Sequence, residues 1–329
     1  MRSKLAPELL KRYQVVSSWR GLFDLASYWL AILAVFSVAH ICNAWYVYLA
    51  AAVVISGLQH GLLNLQHEAW HYLCFKSRSL NDLIGAWIYS YPVGNPYYYN
   101  QIKHRAHHAY FGTEHDPDIE TYTNAGRQTG RQCVVYFSGL LIGGHLVNKV
   151  MAVAGGRKPD FPGLKSRAGK MPSLLQEYAG CAIVQALLLA AFYLSGRAWE
   201  YLVLWFVPLV TLTSALFVWR NFLEHAHPSS NPTPEERLRD FRATSLERFF
   251  VSPIGFNSHA FHHAFPKIPH FHLAAARQAA RQARVEYPGK ECGTYWSLWL
   301  DHLSQLDRPD NQNQIQDQSN NQKQQESTV

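Results

Sequence analysis

Charged residues are scarce in this sequence: Asp, Glu, Lys and Arg make up 16% of its 329 residues, where soluble globular chains carry about 25%. That scarcity points toward lipid. The mean hydropathy is nevertheless −0.16, so apolar spans must share the chain with a large polar part. Cysteines number five, widely spaced and without a Cys-x-x-Cys pair, which excludes a disulfide framework, a zinc ribbon or a thiol-redox centre and fits a reducing compartment. Also missing are a dinucleotide-binding glycine fingerprint, a cysteine set for an iron–sulfur cluster and a His-Pro-Gly-Gly haem signature. Any redox chemistry here needs electrons from a separate donor.

What the sequence has instead is 48% hydrophobic and 14% aromatic residues, gathered into four long apolar runs at about 22–42, 44–65, 176–195 and 199–220. Each is long enough for a helical span, which takes about 20 residues. They read as two tight hairpins turning near Cys42-Asn43-Ala44 and Ser195-Gly196-Arg197, so both turns lie on one membrane face. Of the 30 Lys and Arg residues only Arg197 lies in a hairpin turn. By the positive-inside tendency the other face is cytoplasmic, with both termini inside; the same topology accounts for most of the net charge of +7. The first apolar run reads as an anchor and not a cleaved signal. Residues 1–308 are expected to form a single unit, with a cytosolic cap from about 66–175 and 221–308. Residues 134–153, broken by Gly143 and Gly144, are expected as an interfacial or cap helix, with a fifth span as the competing reading. The Asn/Gln-rich segment 309–329 has nothing to bury and is expected to be disordered.

The 17 histidines are the strongest signal. Nine of them form spaced groups: His67 and His71; His104, His107 and His108; His225; His259, His262 and His263. In a helix, positions i, i+3 and i+4 share one face, so each His-x-x-His-His triplet is expected to converge on one point. Nine imidazoles exceed the coordination of one ion, and a dimetal site follows. Imidazole suits iron, copper or zinc, whereas Mg or Ca would call for oxygen ligands.

In order and spacing, His67-Glu-Ala-Trp-His71, His104-Arg-Ala-His107-His108, Asn221-Phe-Leu-Glu-His225 and His259-Ala-Phe-His262-His263 resemble the integral-membrane fatty acid desaturases and the related carotenoid ketolases and hydroxylases. The resemblance runs over about 20–275 and includes His108-Ala-Tyr-Phe-Gly-Thr-Glu-His-Asp-Pro-Asp118 and Pro266-Lys-Ile-Pro269. It implies an all-α integral membrane fold, four transmembrane helices under a helical cytosolic cap, and two iron ions between them acting with O2 on an unactivated C–H bond of a fatty acyl chain. By the same resemblance the nine histidines bind metal directly and Asn221 through water. The first box has three intervening residues where many desaturases have four, which leaves hydroxylase and ketolase outcomes open. The implied partners are a lipid substrate, O2 and an electron donor such as ferredoxin or a b-type cytochrome. The basic face, with Lys103 and Arg105, suits an acidic partner.

Metal-bound histidines usually give their second nitrogen to a carboxylate or carbonyl; Glu68, Glu114, Asp116, Asp118, Glu224 and Glu247 are candidates, and His60 and Asn64 extend the His67 stripe along one helix face. His115, His145, His227, His270, His272 and His302 are expected in surface or turn roles. Trp87, Tyr91, Tyr97, Tyr98 and Tyr99 are candidates for an acyl tunnel or for an interfacial aromatic belt. Two rivals compete. His67-Glu68-Ala69-Trp70-His71 also satisfies the His-Glu-x-x-His zinc protease signature, but that reading leaves seven spaced histidines without a role. A metal transporter would string ionisable residues through the bilayer, whereas here they collect at one face.

Overall fold

The structure, a computed structural model, describes residues 6–123, 128–144, 172–228 and 232–308. Four helices are long and apolar enough to cross a membrane: Ser18–Cys42, Trp45–Trp70, Leu174–Leu194 and Trp199–His225. These are the four expected spans, paired by the two expected turns. The turns need left-handed backbone, supplied by Asn43 (φ 46°) and Gly196 (φ 85°); glycine adopts it without a Cβ clash and asparagine is the next most tolerant. A polar clamp ties the two turns together. Arg197 Nη1 donates to the His40 carbonyl at 2.8 Å and to Asn43 Oδ1 at 3.0 Å. The buried Glu200 accepts from Tyr48 at 2.6 Å and lies 2.9 Å from His40 Nδ1.

The second span is the central pillar. Every residue from Ile55 to Trp70 is buried, while the first span turns Trp19, Phe23, Leu30, Leu33 and Ile41 outward, as a lipid-facing helix does. Polar side chains midway along the pillar are matched by neighbours, because an unpaired polar group in an apolar interior is costly. Gln59 donates to the Trp205 carbonyl at 2.9 Å and accepts from Thr213 at 2.7 Å. Asn64 donates to the Pro253 carbonyl at 3.2 Å and accepts from Arg220.

At the histidine end the second and fourth helices outrun the expected spans, reaching Trp70 and His225. His67 and His225 therefore stand on rigid span extensions and not on cap loops. The fourth span also contains two π-helical stretches, Leu202–Phe206 and Leu209–Thr213, on either side of Pro208. Proline cannot donate to the carbonyl one turn back, and such bulges re-aim the residues that follow.

Above the spans sits a helical cap. The short helix Gly130–Leu141 packs through Cys133, Phe137 and Leu140 against Phe222 and Trp299, so the described part of the 134–153 region belongs to the cap; residues 145–153, like the tail 309–329, lie outside the described residues. Strand is limited, among the described residues, to a parallel pair, Arg239–Phe241 with Lys290–Cys292. It anchors the segment carrying the third histidine box, since Asp240 Oδ1 accepts the Phe261 amide at 3.2 Å.

Where the first span meets the cap, a Cβ on Gly21 would overlap the Cys74 carbonyl oxygen. Backbone cannot rotate away as a side chain can, so Gly21→Ala is expected to lower unfolding stability in detergent by about 1–3 kcal/mol; an unchanged thermal midpoint would refute that packing.

Candidate metal centre

The second-box histidines ride on the helix Tyr97–Tyr110. Its N-terminus is capped from another part of the chain: Glu177 of the third span accepts the amides of Tyr98 at 2.8 Å and Tyr99 at 2.9 Å. A carboxylate there satisfies orphan donors and complements the helix dipole. Sequence reasoning missed this residue, whose signal was a lone acid at the start of an apolar span. The third box lies on the short helix His259–Ala264, reached through a sharp turn with Ile254 at φ 54° and Gly255 at φ 82°.

All nine histidines come together, in two adjoining groups. The candidate ligand nitrogens of His67, His71, His104, His108 and His262 lie within 4.8 Å of one another, as do those of His107, His225 and His263. His259 joins the second group, its Nε2 2.9 Å from His225 Nε2. In the first group His104 Nε2 is 3.0 Å from His71 Nε2 and 2.9 Å from His108 Nε2. The stacked rings of His108 and His263, 4.2 Å between centroids, join the two.

This corrects the expectation that each triplet converges on one point. His104 and His108 serve the first group while His107 serves the second; His259 and His263 serve the second while His262 serves the first. The reason is helical geometry. Positions i and i+4 differ by about 40° around the axis, but i+3 and i+4 differ by about 100°. Each box therefore straddles both groups.

The donor set fits transition metals. His67 and His262 have both ring nitrogens, and His263 has Nε2, buried without a hydrogen-bond partner; each such atom costs about 1–3 kcal/mol unless something else occupies its lone pair. Burial, and next the neighbouring imidazoles, hold His104, His108, His259 and His263 well below the usual histidine range. Burial alone takes His71 down to about 3. At neutral pH these rings are uncharged, the form that coordinates metal.

Asp116 and Asp118 sit beside the second group. His107 Nδ1 is 2.9 Å from Asp116 Oδ1 and 3.9 Å from Asp118 Oδ2, which leaves His107 Nε2 for the histidine cluster. Asp116 also accepts from Tyr122, from the Gly112 amide at 3.1 Å and from the Asp118 amide at 2.9 Å. Burial opposes ionisation of Asp116, but these hydrogen bonds outweigh it and hold the carboxyl below the usual range. Turn formation and ring orientation are thus one arrangement. Glu224 accepts from Tyr295 at 3.1 Å, and its Oε2 lies 3.3 Å from Arg220 Nε and 3.4 Å from His259 Nδ1.

Other candidates point elsewhere. Glu68 accepts the His270 amide at 2.9 Å, pinning the segment after the third box to the second span. His60 Nδ1 lies 2.7 Å from the Phe250 carbonyl, and Asn64 bonds Pro253 and Arg220 as above. Glu114 is exposed, and Glu247 closes a capping box with Thr244. His270 and His302 depart from the surface role expected of them: His270 Nε2 is 2.9 Å from Asp24 Oδ2, and His302 is buried edge-on against Phe222. His145 lies outside the described residues.

A cavity of about 200 Å³ touches both groups through His67, His104, His107, His225 and His259, with Asn221 in its wall. It continues between the second and fourth spans past Leu63, Leu209, Thr213 and Phe217, while Lys103 and Asp118, paired at 2.5 Å, line it on the cap side. None of Trp87, Tyr91, Tyr97, Tyr98 and Tyr99 lines it. Tyr97 is instead buried, donating to Asp82 at 3.0 Å, and Trp87 packs against Tyr91 at 5.1 Å between centroids.

The sequence matches the description "Fatty acid desaturase" over residues 43–299. The chain belongs to the fatty acid desaturase family. Similar proteins include a dihydrorhizobitoxine desaturase from Bradyrhizobium elkanii, 25% identical over 79% of this chain and 74% of its own length. An sn-1 acyl-lipid omega-3 desaturase (ferredoxin) from Synechocystis sp. is 25% identical over 83% and 79%, and a probable fatty acid desaturase from Sorghum bicolor is 24% identical over 82% and 73%. The protein is thus a membrane oxidoreductase of desaturase type, and its histidine clusters are the candidate metal centre of that family.

In this desaturase the contact between Asp116 and His107 carries a testable consequence. Asp116→Asn is expected to weaken transition-metal affinity about 10–100-fold, the usual cost of losing such a partner, in a chelator-competition titration; unchanged affinity would show that Asp116 only shapes the turn.

Proposed function

We propose that this protein is an oxygen-dependent, non-haem diiron desaturase that introduces a double bond into a fatty acyl chain. The observation that carries the reading is the cavity that meets both histidine groups and runs on between the second and fourth spans. An acyl chain entering from the membrane side would bring a methylene pair beside the imidazoles without crossing water. On the span side the cavity is lined by Leu63, Leu209, Phe217 and Val218 together with Thr213, Ser214 and Arg220, and on the cap side by Lys103 and Asp118.

In this reading the nine histidines hold two iron ions directly and Asn221 holds a water against them, with His107 oriented by Asp116 and His259 by Glu224. When bound, the irons supply activation of O2 and removal of two hydrogens from the substrate. The balance is simple: O2 becomes two waters, taking two electrons and two protons from the acyl chain and two of each from outside. The sequence carries no dinucleotide, iron–sulfur or haem motif, so in this reading the outside pair comes from a donor such as ferredoxin or a b-type cytochrome. The basic side faces the cytoplasm in this reading, both termini included, and the site is a bacterial plasma membrane. Residues 1–308 act as one unit.

Hydroxylation or ketolation of a lipid or carotenoid is the second reading, favoured by the three-residue spacing of the first box. The zinc protease reading is weakened by Glu68, whose Oε2 is engaged with the His270 amide, and by the placing of His67 and His71 among three further histidines.

Expression in a host of known lipid composition, followed by mass spectrometry of total lipids, tests the assignment. New alkenes, two mass units lighter than the host acyl chains, are expected; a gain of one oxygen would replace desaturation by hydroxylation. His104→Ala and His262→Ala are expected to abolish product while Glu68→Gln retains most of it, and the reverse pattern would contradict the assignment.

A further inference from the structure

Two of the aromatic side chains that take no part in the cavity, Trp87 and Tyr98, line a different space. Where the second span ends, Tyr72 is held at φ 62°, and the chain turns back through the helix Arg78–Ile84, capped by Ser77. Leu80, Leu83 and Trp87 are exposed along this segment. Leu80 and Leu83 stand one helical turn apart and Trp87 follows in the π-helical stretch Gly85–Ser90, so the three form an exposed apolar stripe beside the bundle of spans. Next to the stripe is a pocket of about 430 Å³ walled by Tyr72, Trp87 and Tyr98, with Asp82 and Arg78 on its rim.

We propose that this pocket binds the headgroup of a zwitterionic phospholipid, with the ammonium group against the three aromatic rings and Asp82, and the phosphate at Arg78. Each part of the ligand has a matching part of the wall. Aromatic faces attract ammonium and above all quaternary ammonium groups. The Asp82 carboxylate is held in place by the Tyr97 hydroxyl at 3.0 Å and adds an opposite charge. Arg78 is exposed, and its guanidinium stands 5.5 Å from the Tyr72 ring centre, where its outer N–H groups can reach a phosphate. Leu83 belongs to both pocket and stripe, so a lipid seated here continues from headgroup to tails along one surface. An anionic lipid without an ammonium group would meet the Asp82 charge and gain nothing from the rings.

The position gives the site a consequence. Tyr72 follows His71 directly, and Tyr98 lies in the first turn of the helix that carries His104. An occupant therefore bridges the elements that present the first two histidine boxes.

The test reads binding, not turnover, so it stands or falls apart from the desaturase assignment. The full chain, purified in lipid-free detergent, is titrated with dihexanoyl phosphatidylcholine and dihexanoyl phosphatidylglycerol below their micelle concentrations, with tryptophan fluorescence as the readout. Choline lipid is expected to bind at least about fivefold tighter than glycerol lipid, and Tyr98→Leu, Asp82→Asn and Arg78→Gln each to weaken it by about fivefold. Arg78 is exposed, so Arg78→Gln keeps the test valid if a buried substitution disturbs folding, which thermal unfolding of each variant reports. Glycerol lipid binding as tightly as choline lipid, or choline binding unmoved by Arg78→Gln in a folded protein, would overturn the proposal.

Discussion

Nine imidazoles packed into one volume set the terms for everything around them. An imidazole that gives up its proton binds metal well, but a buried ring with an unused lone pair is a liability of about 1–3 kcal/mol. The structure gathers several such atoms at His67, His262 and His263 and holds them close enough that protonating one disfavours protonating the next. A site built this way suits a metal, which would occupy those unused lone pairs. The surrounding scaffold stands behind the rings: Asp116 is 2.9 Å from His107 Nδ1, Glu224 is 3.4 Å from His259 Nδ1, and Glu177 caps the head of the second-box helix.

The second span carries the mechanical side of that requirement. It is buried from Ile55 to Trp70, carries His67, and uses its polar side chains to hold partners from elsewhere in the chain. Gln59 ties it to the fourth span, Asn64 to Arg220 and the turn before the third box, and Glu68 to the helix after it. Residues distant in sequence thereby reach their histidine groups from fixed directions. On the opposite membrane face the Arg197 and Glu200 clamp joins the hairpin turns, so the bundle is fastened at both ends while the cavity lies between.

How much of this was legible in the sequence depended on how local the cause was. The four spans and both turns follow from runs of apolar residues and from Asn43 and Gly196, and they appear where expected. The nine histidines were found by spacing alone, yet their split into two groups was not, although the 100° between adjacent residues implied it. Asp116 could be named because it lies nine residues from His107. Glu68 and His60 were misread as partners of the ligands because helix periodicity places a residue on a face without saying what packs there, and their partners, His270 and Phe250, are about two hundred residues away. The same limit hid Glu177 and left the aromatic run open between a tunnel and a belt. Composition announces aromatics near lipid; only packing shows which of them line a cavity.

The central claim is that the two histidine groups together hold two irons through nitrogen. Iron analysis combined with iron-edge X-ray absorption on the purified full chain measures both parts at once. The account predicts two irons per chain, with a first coordination shell dominated by imidazole nitrogen at about 2.0–2.2 Å and the outer-ring scattering that imidazole gives. One metal per chain, or a shell dominated by carboxylate oxygen or thiolate sulfur, would contradict it.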